Sequence, residues 1–375
     1  MNILIAPNSF KECADSVSIA NLFSYNLRNR RRVILISKPI SDGGDGFLNV
    51  CMENFGLDII SYKIPLPFGR RLIDCEVGYS KNDKKIFIES ANCVGLKLIP
   101  SDKRHPLLIN SRAMGVLLQS IIADIKAEKI FVDKVIIGIG GTGTNDMGIG
   151  MLSEFGLKLI DEKGVRIRPI PGNFGLVKKM VWEKINLPFQ IDLILDVNNH
   201  LLGAFGASKT FGRQKGLTGN EIKIAEKGFS NIIKIIEEQR ISTSPKLISG
   251  AGGGLAAGFQ IFMNSNIIYS DKFISRNLGI KKSTRYSAVI TAEGLFDKQS
   301  FMNKATGTII RKFAKTGTKI FLVCGILDKK MRGKLPGNVH PVELSKYFKS
   351  KSDSIKYYKE GIRLASEEIK RVLKY

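Results

Sequence analysis

The sequence predicts an α/β protein of two domains: a Rossmann-like, doubly wound parallel-sheet domain built from both chain ends, and an inserted α/β domain, with the active site in the cleft. Three observations carry this expectation. Strand, loop and helix patterns alternate at both ends of the chain, as they do in parallel sheets with ligand loops at the strand ends. The middle differs in character, with proline turns at Pro65-Leu66-Pro67 and Pro169-Ile170-Pro171 and most of the glycine-rich loops. The 375 residues, 43% hydrophobic and 25% charged, suffice for two cores.

The elements follow in order. A strand over 2–6 feeds the loop Pro7-Asn8-Ser9-Phe10-Lys11, and apolar residues at helical spacing follow over 16–27. A second strand, 32–37, runs into Ser41-Asp42-Gly43-Gly44-Asp45-Gly46 and a further helix. In the last third, a strand over 286–291 precedes Ala292-Glu293-Gly294, then a helix over 304–315, a strand over 319–324 and an amphipathic helix over 354–373. The expected domains are therefore 1–70 plus 283–375 for the Rossmann-like part and 71–282 for the insertion.

The most informative stretch is 135–148. Strand-type residues give way to Gly138, Gly140, Gly141 and Gly143, with Thr142 among them, and then to Thr144, Asn145 and Asp146. Such a loop approaches a phosphate closely, and its polar residues are expected to cap a following helix whose free N–H groups favour an anion. Residues 138–143 also match G-x-G-x-x-G, with Asp161 and Glu162 about 20 residues on, so an NAD-dependent dehydrogenase is the first rival. Against it, the glycines run into Thr-Asn-Asp rather than an apolar helix. Four further loops combine flexible backbone with charge or amide groups: Ser41 to Gly46, Asp196 to Asn199 with Gly203, Phe211 to Gly216, and Gly250 to Gly254. Phosphoryl transfer needs that combination, because it rests on positioning and charge neutralisation. No G-x-x-x-x-G-K-[ST] occurs, nor H-R-D with D-F-G, which excludes a P-loop enzyme and a protein kinase. Asp42, Asp146, Asp196, Glu293 and Asp297 are candidate bases and metal holders near strand ends, each weighed against a capping role.

The formal charge of +24 raises a second rival, a basic nucleic-acid-binding protein. The 58 Lys and Arg are spread along the chain rather than gathered on one tail or interleaved with aromatics, so no specific nucleic acid is expected. No apolar run approaches a membrane span and no secretory leader is apparent, so neither a membrane nor export is expected, and a cytoplasmic location is. The five cysteines form no C-x-x-C pair and the three histidines lie far apart, which argues against a disulfide framework or a His/Cys metal site.

Taken together and in order, these segments resemble the bacterial two-domain glycerate kinases, the glycerate kinase type-1 family, over essentially the entire chain. Ile5 to Lys11 is similar to the family's I-A-P-D-S-F-K, Ile40 to Gly46 to A-D-G-G-E-G, and Ile137 to Asp146 to G-I-G-G-S-A-T-N-D. Asp196 to Gly203 resembles D-V-x-N-P-L-x-G, Phe211 to Gly216 resembles F-G-P-Q-K-G, and Ile290 to Gln299 resembles I-T-G-E-G-x-x-D-x-Q. Asn8 departs from the usual Asp and removes an acid there; Gly143, His200, Arg213 and Ala292 are milder departures.

The resemblance implies ATP-dependent phosphorylation of D-glycerate with Mg²⁺ in organic-acid catabolism, with 2-phosphoglycerate preferred over 3-phosphoglycerate as product. Lys11, with Ser9 and Arg70, would hold the glycerate carboxylate. Gly138, Gly140, Gly141, Thr142, Thr144 and Asn145, with Gly252 and Gly253, would receive the nucleotide. Asp196 or Asp42 would orient or deprotonate the attacking hydroxyl beside Lys11, while Asp42, Asp146 and Glu293 would hold metal. The expected partners are glycerate and ATP, and a homodimer stays open.

Overall fold

The computed structural model describes residues 1–10, 13–28, 33–69, 71–196, 199–241, 248–281, 284–302 and 304–374. The chain divides into two compact units. The first comprises Met1–Asp42, Asn49–Gly56 and Tyr269–Tyr375; the second comprises Gly43–Leu48 and Leu57–Ile268.

The first unit holds a five-stranded sheet in the order Val339–Glu343, Lys319–Leu327, Ala288–Phe296, Asn2–Ile5, Ile34–Ser37. All four pairings are parallel. The order reverses at Asn2–Ile5, so that strand and Ala288–Phe296 flank the switch point, outside whose carboxyl ends open α/β sheets bind ligands. The helix Ser16–Leu27 starts where Asp15 accepts a hydrogen bond from the Ser18 N–H at 2.7 Å. Its Ile19, Ala20, Phe23 and Leu27 share one face and join a core with Ile3, Ile5, Ile290 and Phe321. The last helix, Tyr358–Leu373, adds Ile362, Ala365 and Ile369 to that core. It begins later than its sequence pattern suggests, because a separate short helix, Lys351–Lys356, is capped by Ser350 and precedes it.

Ala288–Phe296 corrects another expectation. Ala292, Glu293 and Gly294 lie within the strand rather than in a loop after it, because Leu295 and Phe296 go on to pair with Ile326 and Leu327. Glu293 is thereby fixed on rigid backbone.

The second unit is built on a six-stranded mixed sheet in the order Asn266–Tyr269, Gln190–Leu195, Lys134–Gly138, Lys85–Glu89, Leu72–Ser80, Asp58–Pro65. Gln190–Leu195, Lys134–Gly138 and Lys85–Glu89 are mutually parallel, and the two strands beyond them are antiparallel. A three-stranded sheet, Arg166–Ile167, Lys158–Ile160 and Lys179–Val181, lies apart in the pairing. The helix Gly219–Glu238 opens with a reciprocal capping box between Thr218 and Glu221. The division of the chain differs from the boundaries expected at 70 and 283. Asp58–Pro65 pairs residue for residue with Leu72–Ser80 and so belongs to the second unit. The helix Ser270–Arg276 instead belongs with the first.

Candidate active site

In the first unit, the chain beyond Asn2–Ile5 stays hydrogen-bonded to its neighbours. Asn8 N–H donates to the Ala292 carbonyl at 2.8 Å, and Ile40 N–H donates to the Pro7 carbonyl at 3.0 Å. This ladder sets Asn8, Ser9, Glu293 and the segment leading to Asp42 side by side beyond the switch point. The Thr291 hydroxyl donates to the Ala6 carbonyl and the Thr306 hydroxyl to the Ala292 carbonyl, bracing the edge from beneath.

Glu293 is 6% exposed, and its Oε2 is buried without a hydrogen-bond partner among the described residues. Burial pushes its carboxyl up to about 7; the Lys304 ammonium, 3.9 Å from Oε1, opposes the shift, and the charges of Asp42 and Asp297 add to it. A buried carboxylate oxygen with no donor is costly, which makes this edge a place for a cation or a proton. Ser9 is half-buried beside it, as is Asp42.

In the second unit, the parallel strands Lys85–Glu89, Lys134–Gly138 and Gln190–Leu195 end together, with Glu89 opposite Gly138 and Gly138 opposite Ile194. Asp196 lies at the last exit, half-buried. The glycines after Lys134–Gly138 serve close packing of chain on chain. A Cβ at Gly140 would stand 2.5 Å from Gly44 Cα, and one at Gly138 would stand 2.7 Å from the Gly43 carbonyl oxygen and the Phe47 ring. The loop at 43–46 thus lies directly against the loop at 138–141. Ser90 ties the arrangement, its hydroxyl donating to the Gly140 carbonyl and accepting from the Gly140 N–H. Glu89, buried, accepts from the Leu48 N–H at 3.1 Å and pairs with Lys97 at 3.3 Å.

Asp146 is fully buried, and its carboxylate is engaged on both oxygens. It accepts from the Ser111 N–H and hydroxyl at 2.8 Å each, from the Gly150 N–H at 2.9 Å and from the Gly148 N–H at 3.3 Å. That geometry braces the loop; the carboxylate points its lone pairs at protein donors. The helix that follows, Ile149–Ser153, has five residues, and the Gly150 and Met151 N–H groups are taken by Asp146 and the Ser111 hydroxyl. The expected anion site at its N-terminus is therefore already filled by protein groups.

The loop itself keeps unmet polar atoms. Among the described residues, the buried Thr144 Oγ1 and Asn145 Oδ1 have no partner, while Asn145 Nδ2 donates to the Ser208 hydroxyl at 3.0 Å. Beneath them lies Lys215, whose ammonium donates to Thr142 Oγ1 at 3.0 Å and to the Thr144 carbonyl at 2.6 Å. Gly252 and Gly253 close over this point. At Gly253, with φ +69°, a Cβ would stand 2.2 Å from the Thr144 carbonyl oxygen and 2.7 Å from Lys215 Nζ.

Among the residues singled out by sequence, Ser9, Asp42 and Glu293 gather in the first unit. Gly138 through Asn145, Asp146, Asp196, Gly252 and Gly253 lie in the second. Lys11 and Arg70 lie outside the described residues. Glu89, Ser90, Ser111, Lys97 and Lys304 carried no sequence signal of their own. Lys215 did carry one, as the lysine of Phe211 to Gly216, but its burial was not legible there.

An α/β enzyme for phosphate-bearing ligands is the class that this arrangement defines: acids at the switch point of one unit, and a braced glycine-rich loop over a buried ammonium group in the other. A family model described as the glycerate kinase family matches residues 3–374, and the chain belongs to that family, with it to the enzymes that phosphorylate glycerate. It is similar to the glycerate kinase of Halalkalibacterium halodurans, 30% identical over 338 residues, which cover 87% of this chain and 86% of that one. It is also similar to the glycerate kinase of Neisseria meningitidis serogroup B, 28% identical over 333 residues, with 87% and 86% covered. Glycerate 2-kinase of Escherichia coli is 29% identical over 326 residues, with 84% and 83% covered. A crystal structure described as that of a glycerate kinase 2 from Salmonella typhimurium superposes with a TM-score of 0.77 at 25% identity, covering 100% of this chain and 98% of that one. Among the described residues, no helix is long and apolar enough to cross a membrane.

Proposed function

We propose that the protein transfers the γ-phosphoryl group of ATP to D-glycerate, giving 2-phosphoglycerate and ADP, with Mg²⁺. The observation that carries the reading is the glycine-rich loop built over the Lys215 ammonium in a chain of this family; in the other unit, Oε2 of Glu293 is buried without a hydrogen-bond partner among the described residues. The name of the Escherichia coli relative, glycerate 2-kinase, supports the choice of hydroxyl.

Glu293 and Asp42 offer the hard oxygen donors that Mg²⁺ takes, and Oε2 of Glu293 has no hydrogen-bond partner among the described residues. The bound ion would neutralise charge on the phosphates. Asp146 is assigned as a brace. Loop 138–145 with Gly252 and Gly253 is assigned to the nucleotide phosphates, where Thr144 Oγ1 and Asn145 Oδ1 have no hydrogen-bond partner among the described residues. Ser9, with Lys11 and Arg70, is assigned to the substrate carboxylate.

In the transfer, the glycerate hydroxyl oxygen forms a bond to the γ-phosphorus as the bond to the β–γ bridging oxygen breaks. The hydroxyl proton goes to a carboxylate, Asp196 or Asp42, and ADP leaves with the bond's electron pair. Because the transition state is loose, placement matters more than base strength. Release of ADP measured with D-glycerate, followed by phosphorus NMR of the product, tests the proposal. Absence of turnover, together with thermal protection by NAD(H) but not by MgATP, would transfer the loop to the dehydrogenase reading.

A further inference from the structure

Lys215 ends the helix Ala207–Lys215 and is 6% exposed. Two of its three N–H bonds go to neutral acceptors, Thr142 Oγ1 and the Thr144 carbonyl. A Cβ at Gly253 would stand 2.7 Å from Nζ, and the glycine backbone there brings no charge. Asp146 is the charged group that faces it, and that carboxylate already accepts four hydrogen bonds. Burial pushes the Lys215 ammonium down to about 7, with Asp146 opposing, and pushes the Asp146 carboxyl up.

Tying a loop through a hydroxyl and a carbonyl needs only a neutral donor. A cation in the same place carries a desolvation cost that the tie does not require. An anion arriving at the loop removes that cost. The loop residues that Lys215 holds are the same ones beside which buried Thr144 Oγ1 and Asn145 Oδ1 have no partner among the described residues.

We infer that Lys215 is a positioning residue for the nucleotide: it fixes the glycine-rich loop through Thr142 and Thr144 and supplies, from beneath, the positive charge that complements the phosphates. The inference rests on the ATP reading above and adds a measurable consequence. A neighbouring anion stabilises the ammonium form, so binding of ATP raises the proton affinity of Lys215 and draws a proton from solution above neutral pH.

The test is calorimetric titration of MgATP into the full chain at pH 6 and pH 8, in buffers of different ionisation enthalpy, with wild type, Lys215→Met and Thr142→Val. At pH 8 the nucleotide is fully ionised, so uptake belongs to the protein. A shift of the lysine from about 7 to 9 or above gives wild type an uptake of roughly 0.8 proton at pH 8 that Lys215→Met lacks. At pH 6 the two agree in proton count, and Lys215→Met binds MgATP at least tenfold more weakly. Thr142→Val, which keeps the ammonium, keeps the uptake and weakens binding less. Should Lys215→Met lack a cooperative melt, wild type and Thr142→Val decide alone, by a net uptake at pH 8, where Glu293 is almost wholly ionised and has no proton to release. MgATP that binds with no such uptake, or with the same count in Lys215→Met, overturns the inference and leaves the nucleotide reading standing. Failure of wild type to bind MgATP overturns both.

Discussion

Gly253→Ala separates the two demands that the structure makes on a glycine. Gly253 has φ +69°, and Gly164, in the same unit, has φ +76°, so a side chain at either meets the left-handed backbone penalty of about 1–2 kcal/mol. They differ in space. Nothing lies within 4 Å of a Cβ at Gly164, whereas one at Gly253 would be 2.2 Å from the Thr144 carbonyl oxygen, 2.7 Å from Lys215 Nζ and 2.9 Å from Asn145 Cα. Two of those three atoms are backbone, so relief requires moving the glycine-rich loop, at about 1–3 kcal/mol beyond the backbone term. At roughly 2–4 °C per kcal/mol for a unit of this size, Gly253→Ala should melt about 2–12 °C below Gly164→Ala in a scanning calorimeter. Titration with MgATP should show weakened binding for Gly253→Ala alone. Equal melting of the two variants would refute the claim that the loop, the ammonium and the glycine turn are packed as one piece.

Glu293→Gln removes a carboxyl whose folded value is raised to about 7, so it abolishes a loss of stability as pH rises from 4.5 through 7. The variant should match wild type near pH 4 and exceed it at pH 8 by on the order of 2 kcal/mol in urea unfolding, while its turnover and Mg²⁺ dependence collapse. Asp146→Ala strands the Ser111, Gly148 and Gly150 donors and should cost about 2–4 kcal/mol, yet the residual enzyme should keep the Mg²⁺ concentration for half-maximal rate; a shift of that concentration would make Asp146 a metal ligand. Lys134→Met leaves buried Asp192 with Asn266 but without its 2.7 Å ion pair, and should cost about 1–3 kcal/mol in urea with kcat unchanged. Thr218→Ala breaks the capping box of Gly219–Glu238 and should cost about 1 kcal/mol, again with kcat unchanged.

Helix Ser16–Leu27 was legible to the residue, because Asp15 announces its start and Ile19, Ala20, Phe23 and Leu27 keep one period. The strand carrying Glu293 was not, since a Glu-Gly pair reads as a turn and only pairing with Lys319–Leu327 shows that the strand continues. The same limit governs the glycines. Sequence shows that Gly138 and Gly140 allow a close approach, but whether a ligand or the chain itself makes it depends on where the loop at 43–46 lies, a contact about a hundred residues distant. Asp146 illustrates the converse. Its position after the loop marked it as a metal holder or a cap, and the partner that engages it, Ser111, 35 positions earlier, leaves no local pattern.

Glu293 and Lys215 are opposite in charge and alike in their predicament. Burial drives the first up to about 7 and the second down to about 7, so each stands near neutrality with its ionised form poorly compensated. A group of opposite charge relieves each: a cation at Glu293, an anion at Lys215. On the proposed function, a metal at Glu293 would expel a proton and a nucleotide over Lys215 would take one up, and near pH 7 the two exchanges would offset. Only away from neutrality do the contributions separate, the lysine's at pH 8 and the glutamate's at pH 6.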